Sequence, residues 1–210
     1  MPEYKLVYFD IRAVAEPIRW IFKAAKVPFE DERISYEDWK AEKKNPRFPL
    51  GQIPTLEVDG KVWTQSYAIG RYLAKTFGFT VEDDFLNYRS EQVSEIIEDC
   101  RLIAIPLVYE VLGDNNPEVV KNLKEKIIKD VFPRHFTQIN SIIEETEGVF
   151  ITGNKITHGD FVLASWLNMW EDLVDPTILE NFPLLEKQKL AVTSIPEIQE
   201  WLQNRPKTVA

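Results

Sequence analysis

Cysteine is almost absent from this chain: Cys100 is the only one among 210 residues. That excludes an internal disulfide, a Cys-x-x-Cys redox pair and a thiolate metal cluster. Histidine is nearly as scarce. His135 and His158 beside Cys100 do not make up a zinc-type ligand set, so no metal is expected. No stretch reaches the roughly 18 consecutive apolar residues that a membrane helix needs. The amino terminus carries Glu3, Lys5 and Asp10 where a targeting leader would be basic and then apolar. The expectation is a cytoplasmic protein with no membrane partner. Positive charge is also in deficit, with 25 Lys and Arg against 34 Asp and Glu and a net charge of -9. Phosphate backbones are held by clustered cations, so nucleic acid is not an expected partner.

Hydrophobic residues make up 44% of the chain, enough for one large or two small packed domains. The charge deficit lies entirely beyond Gly78, because the residues before it carry slightly more cations than acids. A small anionic ligand is therefore better hosted by the first third, while acidic helix faces elsewhere serve solubility.

Tyr4 to Phe9 is rich in β-formers and stops at Asp10, which predicts a strand. Ala15 to Lys26 has Pro17 near its start and Ile18, Ile21, Phe22 and Ala25 at helical spacing. Val27 to Ile34 reads as a second strand and Tyr36 to Lys44 as a short helix, before a loop punctuated by Pro46, Pro49 and Gly51. Thr55 to Val58 and Lys61 to Trp63 flank Asp59-Gly60, the signature of a tight hairpin. A helix from Gln65 to Phe77 completes the order β-α-β-α-β-β-α, that of a thioredoxin-like domain. Beyond Gly78 the patterns are helical, over Phe85–Leu112, Glu118–Glu145, Phe161–Glu171 and Glu197–Leu202. The expected fold is α/β followed by all-α: a thioredoxin-like domain over residues 1–79, a linker at Thr80-Val81-Glu82 and an all-helical domain over residues 83–210.

Tyr8 closes the first strand on the pleat face of Tyr4 and Leu6. Strand ends are where open sheets place ligands. A tyrosine O–H there can donate to a sulfur anion, and a bond that favours the charged form lowers the thiol pKa. A shift of about 2 units from a free thiol near ~8.5 corresponds to about 2.7 kcal/mol of thiolate stabilisation. Taken alone, Tyr8 reads equally as a core tyrosine with a solvated hydroxyl, and its neighbours decide.

Those neighbours are Tyr8-Phe9, Ala15-Glu16-Pro17-Ile18-Arg19, Gln52-Ile53-Pro54, Gln65-Ser66 with Arg71-Tyr72-Leu73, and Thr157 to Asp160. In this order and at these separations the chain resembles the cytosolic glutathione transferases along essentially its whole length. It is most similar to the sigma class, which includes invertebrate transferases and haematopoietic-type prostaglandin D synthases. The resemblance implies a homodimeric enzyme that conjugates the thiol of reduced glutathione, its co-substrate, to a small-molecule electrophile without a metal.

By the same resemblance, Tyr8 is the catalytic residue, and Phe9, Trp39, Lys43, Gln52, Ile53, Pro54, Gln65 and Ser66 bind glutathione with it. The bond before Pro54 would be cis, and the main chain of Ile53 would pair with the cysteinyl backbone. Gln65 and Ser66 would hold the γ-glutamyl end, where a helix amino terminus favours a carboxylate; an ordinary N-cap is the other reading of Ser66. Trp39 and Lys43 would face the glycine carboxylate, although four apart they also fit a plain amphipathic face. Asp99 would reach the glutathione amino group from the partner subunit, whereas Glu95, Glu98 and Asp99 together also fit a solvated acidic face. Ile11, Ala13, Val14, Arg101 and Tyr109 would line the electrophile pocket.

Two positions depart from the pattern. Gln52 stands where many sigma members have lysine. Val14 stands where prostaglandin D synthases have arginine. Conjugation is therefore the leading expectation, with prostaglandin D isomerisation and a non-catalytic, crystallin-like role as alternatives. Thr157 and Asp160 form a helix-capping signature with a folding role, His158 inside it reads as structural or exposed, and His135 has no evident partner in the sequence.

Overall fold

The structure, a computed structural model, describes residues 2–113 and 115–208. The expected domain limits at Met1 and Ala210 lie outside them. Two compact units emerge: the described residues up to Gly78 together with Glu197–Thr208, and Phe79–Pro196.

The first unit holds β1 (Tyr4–Phe9), β2 (Glu30–Ile34), β3 (Thr55–Val58) and β4 (Lys61–Thr64) in the sheet order β2-β1-β3-β4. β2 runs parallel to β1, while β1 with β3 and β3 with β4 are antiparallel. A parallel neighbour requires a crossover, and here it is a 3-10 turn at Ala13–Ala15 followed by α1 (Glu16–Ala24) with Pro17 in its first turn. β2 begins three residues later than the sequence reading placed it. Lys26 has φ +57° and the Val27 N–H donates back to the Phe22 carbonyl at 3.1 Å, so these residues close α1. The β3–β4 turn has φ +48° at Asp59 and +76° at Gly60, the paired left-handed conformation of a type I′ hairpin.

α2 (Tyr36–Glu42) is capped by Ser35, whose Oγ accepts the Asp38 N–H at 3.0 Å, and α3 (Ser66–Thr76) follows β4. One sheet face packs on α1: Leu6, Ile18, Ile21, Phe22 and Leu56 are fully buried, and Tyr4 lies 5.1 Å from the Phe22 ring. On the other face Val7, Ile34 and Phe48 form a core against which Trp39 and Ile53 pack.

The second unit is helical. α4 (Asp84–Leu112) starts at Asp83, whose Oδ1 accepts the Leu86 N–H at 2.9 Å. The stretch read as one helix over Glu118–Glu145 is α5 (Pro117–Lys126), a π-helical segment at Ile127–Val131 and α6 (Phe132–Glu144). Pro133 has no N–H to give the preceding turn, which breaks the regular ladder there. α7 (His158–Leu173) is buried along most of its length, so it offers no amphipathic stripe and was recognised from sequence only from Phe161 onward. A Cβ on Gly159 would fall 2.2 Å from the Ser90 carbonyl oxygen, a close approach of α7 to α4 that only glycine permits. α8 (Pro183–Thr193) escaped the sequence reading because Gln188 and Lys189 share its buried face with Leu185 and Val192 and mask the apolar period.

The last helix, α9 (Pro196–Asn204), was expected with the helical domain but its residues from Glu197 group with the first unit. The Trp201 Nε1–H and Arg205 Nη1 both donate to Glu16 Oε1 of α1, at 2.8 and 2.7 Å.

Candidate active site

Sheet register brings four chain segments to one end of the first unit. Val7 of β1 pairs with Thr55, and Thr55 pairs with Thr64. The residues just beyond those partners, Tyr8, Pro54 and Gln65, therefore emerge at the same end. β2 is parallel to β1 with Phe9 opposite Ile34, so α2, which carries Trp39, leaves from that end as well.

Tyr8 is buried, with its ring 5.6 Å from that of Phe9. Phe9 in turn meets Tyr36 at 6.2 Å and Trp39 edge-on at 6.0 Å, and Trp39 meets Phe48 at 5.0 Å. These aromatic contacts fix α2 against the strand that carries Tyr8. The Ile53-Pro54 bond is cis. Pro54 is buried and Ile53 half-buried, whereas Lys43, Gln52 and Gln65 are exposed and Ser66 is half-buried. Among the described residues none of these last four side chains is paired with another protein group. Together they present an ammonium, two amides and a hydroxyl around an aromatic floor, a donor-rich rim suited to a peptide with carboxylate ends.

Gln65 precedes α3 with φ +72° and ψ +101°, and no side chain caps the helix. Ser66 is thus the first helical residue and not an N-cap. A non-glycine residue held in that region carries about 1–3 kcal/mol of strain, of the kind that gathers at ligand sites. We expect Gln65→Gly to raise stability by about 1 kcal/mol in denaturant titration while weakening glutathione binding. A loss of stability without change in binding would mean the strain serves only the fold.

Ile11 and Val14 are half-buried in the crossover after β1, and Ala13 there has φ +35°. The remaining sequence candidates belong to the second unit. On α4 Asp99 is exposed, Tyr109 is 73% exposed, and the Arg101 guanidinium is bound to Glu98 at 2.5 and 2.6 Å. Cys100 is fully buried and its thiol is pushed up to about 12 by burial, which makes it inert. Neither histidine lies in the first unit: Nδ1 of His135 donates to the Val131 carbonyl at 2.7 Å, and His158 is buried with Nδ1 3.2 Å from both carboxylate oxygens of Glu91.

Sequence reasoning missed Arg12, buried in the crossover, and the role of Glu16 and Arg19 beneath it. Buried charges give no signal in sequence, since their residue types are ordinarily exposed. Burial alone would raise the Glu16 carboxyl, but Arg19 and Arg205 hold it below its ordinary value.

A mixed β2-β1-β3-β4 sheet with helices on both faces is a thioredoxin-like unit, and here it is followed by an all-helical one. Residues 4–75 match the family described as glutathione S-transferase, N-terminal domain, and residues 99–205 match glutathione S-transferase, C-terminal domain. Glutathione S-transferase 3 of Caenorhabditis elegans is 35% identical over 99% of both chains. Among solved structures, a monomeric glutathione S-transferase of the hookworm Necator americanus superposes with a TM-score of 0.89 at 31% identity over 98% of both chains. Prostaglandin synthase D of Nilaparvata lugens superposes with a TM-score of 0.85 at 30% identity, over 98% of this chain and all of that one. The chain belongs to the glutathione S-transferase family, and it is a transferase that uses glutathione.

Proposed function

We propose that Tyr8 is the residue that activates glutathione, its O–H donating to the thiol sulfur so that the thiolate is the form that attacks an electrophilic carbon. The observation that carries this reading is the convergence of Tyr8, Ile53-Pro54, Gln65-Ser66 and the Trp39 helix at one end of one sheet. The Ile53 main chain would pair with the cysteinyl backbone. Gln65 and Ser66 at the start of α3 would take the γ-glutamyl carboxylate, favoured by the free N–H groups and positive dipole end. Trp39 and Lys43 would donate to the glycine carboxylate, with Gln52 beside them. A peptide held this way turns a bimolecular encounter into an oriented attack.

The electrophile would lie against Ile11, Ala13 and Val14 of the first unit. A wall that is largely apolar at Ile11, Ala13 and Val14 suits a hydrophobic electrophile, and Val14 brings no fixed charge for an acidic lipid. Conjugation is therefore favoured over prostaglandin isomerisation. A sigma-class, cytoplasmic homodimer, with Asp99 of the partner subunit on the glutathione amino group, completes the reading. α4 supports it by presenting Phe85, Tyr88 and Leu102 more than half exposed on the helix that carries Asp99.

Steady-state turnover with glutathione and an aryl halide, compared with prostaglandin H2, tests the substrate class. Aryl-halide conjugation should exceed isomerisation, and the reverse result would make the lipid the true substrate. Sedimentation of the same sample should give a dimer. A monomer at assay concentration would remove Asp99 from the site.

A further inference from the structure

We propose that α9 positions the electrophile side of the active site: Trp201 and Arg205 hold Glu16, Glu16 holds Arg19, and Arg19 holds the loop that follows Tyr8. The proposal rests on the reading that this loop walls the electrophile pocket. Its geometry is a continuous chain of short contacts within the first unit. Glu16 is 2% exposed and accepts from Trp20 Nε1 at 3.0 Å, Trp201 Nε1 at 2.8 Å, Arg205 Nη1 at 2.7 Å and Arg19 Nη1 at 3.1 Å. The same Arg19 Nη1 donates to the Ile11 carbonyl at 2.8 Å, and Arg19 Nε donates to Asp31 at 3.0 Å.

A fully buried guanidinium with a rigid fork cannot shift toward one partner without loosening the others. Arg19 therefore transmits the position of Glu16 to Ile11. The loop is also anchored by Arg12, which is buried within it. The Ile11 N–H turns back to the Phe9 carbonyl at 2.8 Å, and Asp10 at its head is exposed and bound by Arg33 at 2.7 Å.

Polar contacts dominate the docking of α9, because Ile198 is its one buried residue. The Trp201 ring lies under two cations, Lys23 at 4.9 Å and Arg33 at 5.9 Å, and Lys26 pairs with Glu197 at 2.5 Å. Arg33 also donates to Asp31, so the cation above Trp201 and the carboxylate beneath Arg19 belong to the same network. Substitutions on α9 thus reach the loop without touching a residue assigned to glutathione.

The test is Trp201→Phe combined with Arg205→Gln in the full chain, with Arg19→Lys alone and added to that pair. The expected result is a rise of about 3- to 10-fold in KM for an aryl halide, from a misplaced pocket wall. KM for glutathione and the pKa of its bound thiol should stay within about twofold and ~0.3 unit, because Tyr8 itself is buried and paired with Arg33 of β2. Adding Arg19→Lys to the pair should cost less than Arg19→Lys costs alone, since all three side chains act through one link. An unchanged aryl-halide KM in the folded variant, an equal rise in the glutathione KM, or full additivity would each overturn the proposal. If the pair does not fold, Trp201→Phe alone removes one donor and keeps an aromatic ring there, and it must still raise the aryl-halide KM. The thiol pKa is read separately with Tyr8→Phe, so failure of the Tyr8 assignment is distinguishable from failure of the α9 link.

Discussion

Replacing Tyr8 with phenylalanine is expected to cut kcat/KM at pH 7 and to bring it to or above the wild-type value above about pH 9, where both thiols are ionised and the less stabilised one attacks faster. With a bound thiol at about 6.5 in the wild type and ~8.5 without the phenol, the thiolate fraction at pH 7 falls from roughly three-quarters to ~3%, about a 25-fold loss. The less stabilised thiolate is also more nucleophilic, by about 6- to 10-fold for two pKa units, so the net loss in rate at pH 7 is roughly 2.5- to fourfold. The pH signature is the decisive part. A defect that is the same at pH 7 and pH 9 would mean that Tyr8 only orients the sulfur. No defect at all would leave it as a packed core tyrosine.

The largest loss of stability is expected at Asp160 in the second unit. Its carboxylate is fully buried and accepts from Ile151 N at 2.9 Å, Thr157 N and Oγ1 at 2.8 Å each, and Gln188 Nε2 at 3.1 Å. Thr157 and Asp160 thereby close the capping box at the start of α7. Asp160→Ala strands these donors away from water, a cost of about 3–5 kcal/mol and roughly 10 °C in the thermal midpoint. Burial pushes the Asp160 carboxyl up to about 6 from 3.8, against the pull of its donors. The folded protein therefore binds that proton more tightly than the unfolded chain. The stability this proton linkage contributes is fully present below about pH 4 and is lost as pH rises through about 6. The gap between wild type and variant should narrow between pH 4 and pH 7. A gap that widens over that interval would show that the four donors outweigh burial.

Much of the first unit was legible because its cues are local. A run of β-formers ending at Asp10 marks β1, Pro17 marks the start of α1, and Asp59-Gly60 can form the hairpin turn that was found. Where tertiary contacts decide, local cues failed. Val27 closes a helix instead of opening a strand, α8 hides Gln188 and Lys189 on its buried face, and a nine-residue α9 gives no sign of which unit will receive it.

The site divides in the same way. Tyr8, Trp39, Ile53, Pro54, Gln65 and Ser66 were named through a combination of motifs, since none of them alone distinguishes a ligand contact from a core or cap residue. Of the buried charged layer, Glu16 and Arg19 stood in a motif but with nothing to mark their burial or role, and Arg12 stood in none. Arg12, Glu16 and Arg19 are of types that composition assigns to the surface, yet each is at most 4% exposed. What holds that layer in place is the meeting of α1 with a helix some 180 residues later in the chain, and no short pattern encodes that.

The central claim concerns one proton, and the direct measurement is the ultraviolet absorbance of the thiolate of enzyme-bound glutathione titrated against pH in wild type and Tyr8→Phe. The account expects an apparent pKa about 2 units lower in the wild type than in the variant. Coincident titration curves, with glutathione bound in both proteins, would contradict it.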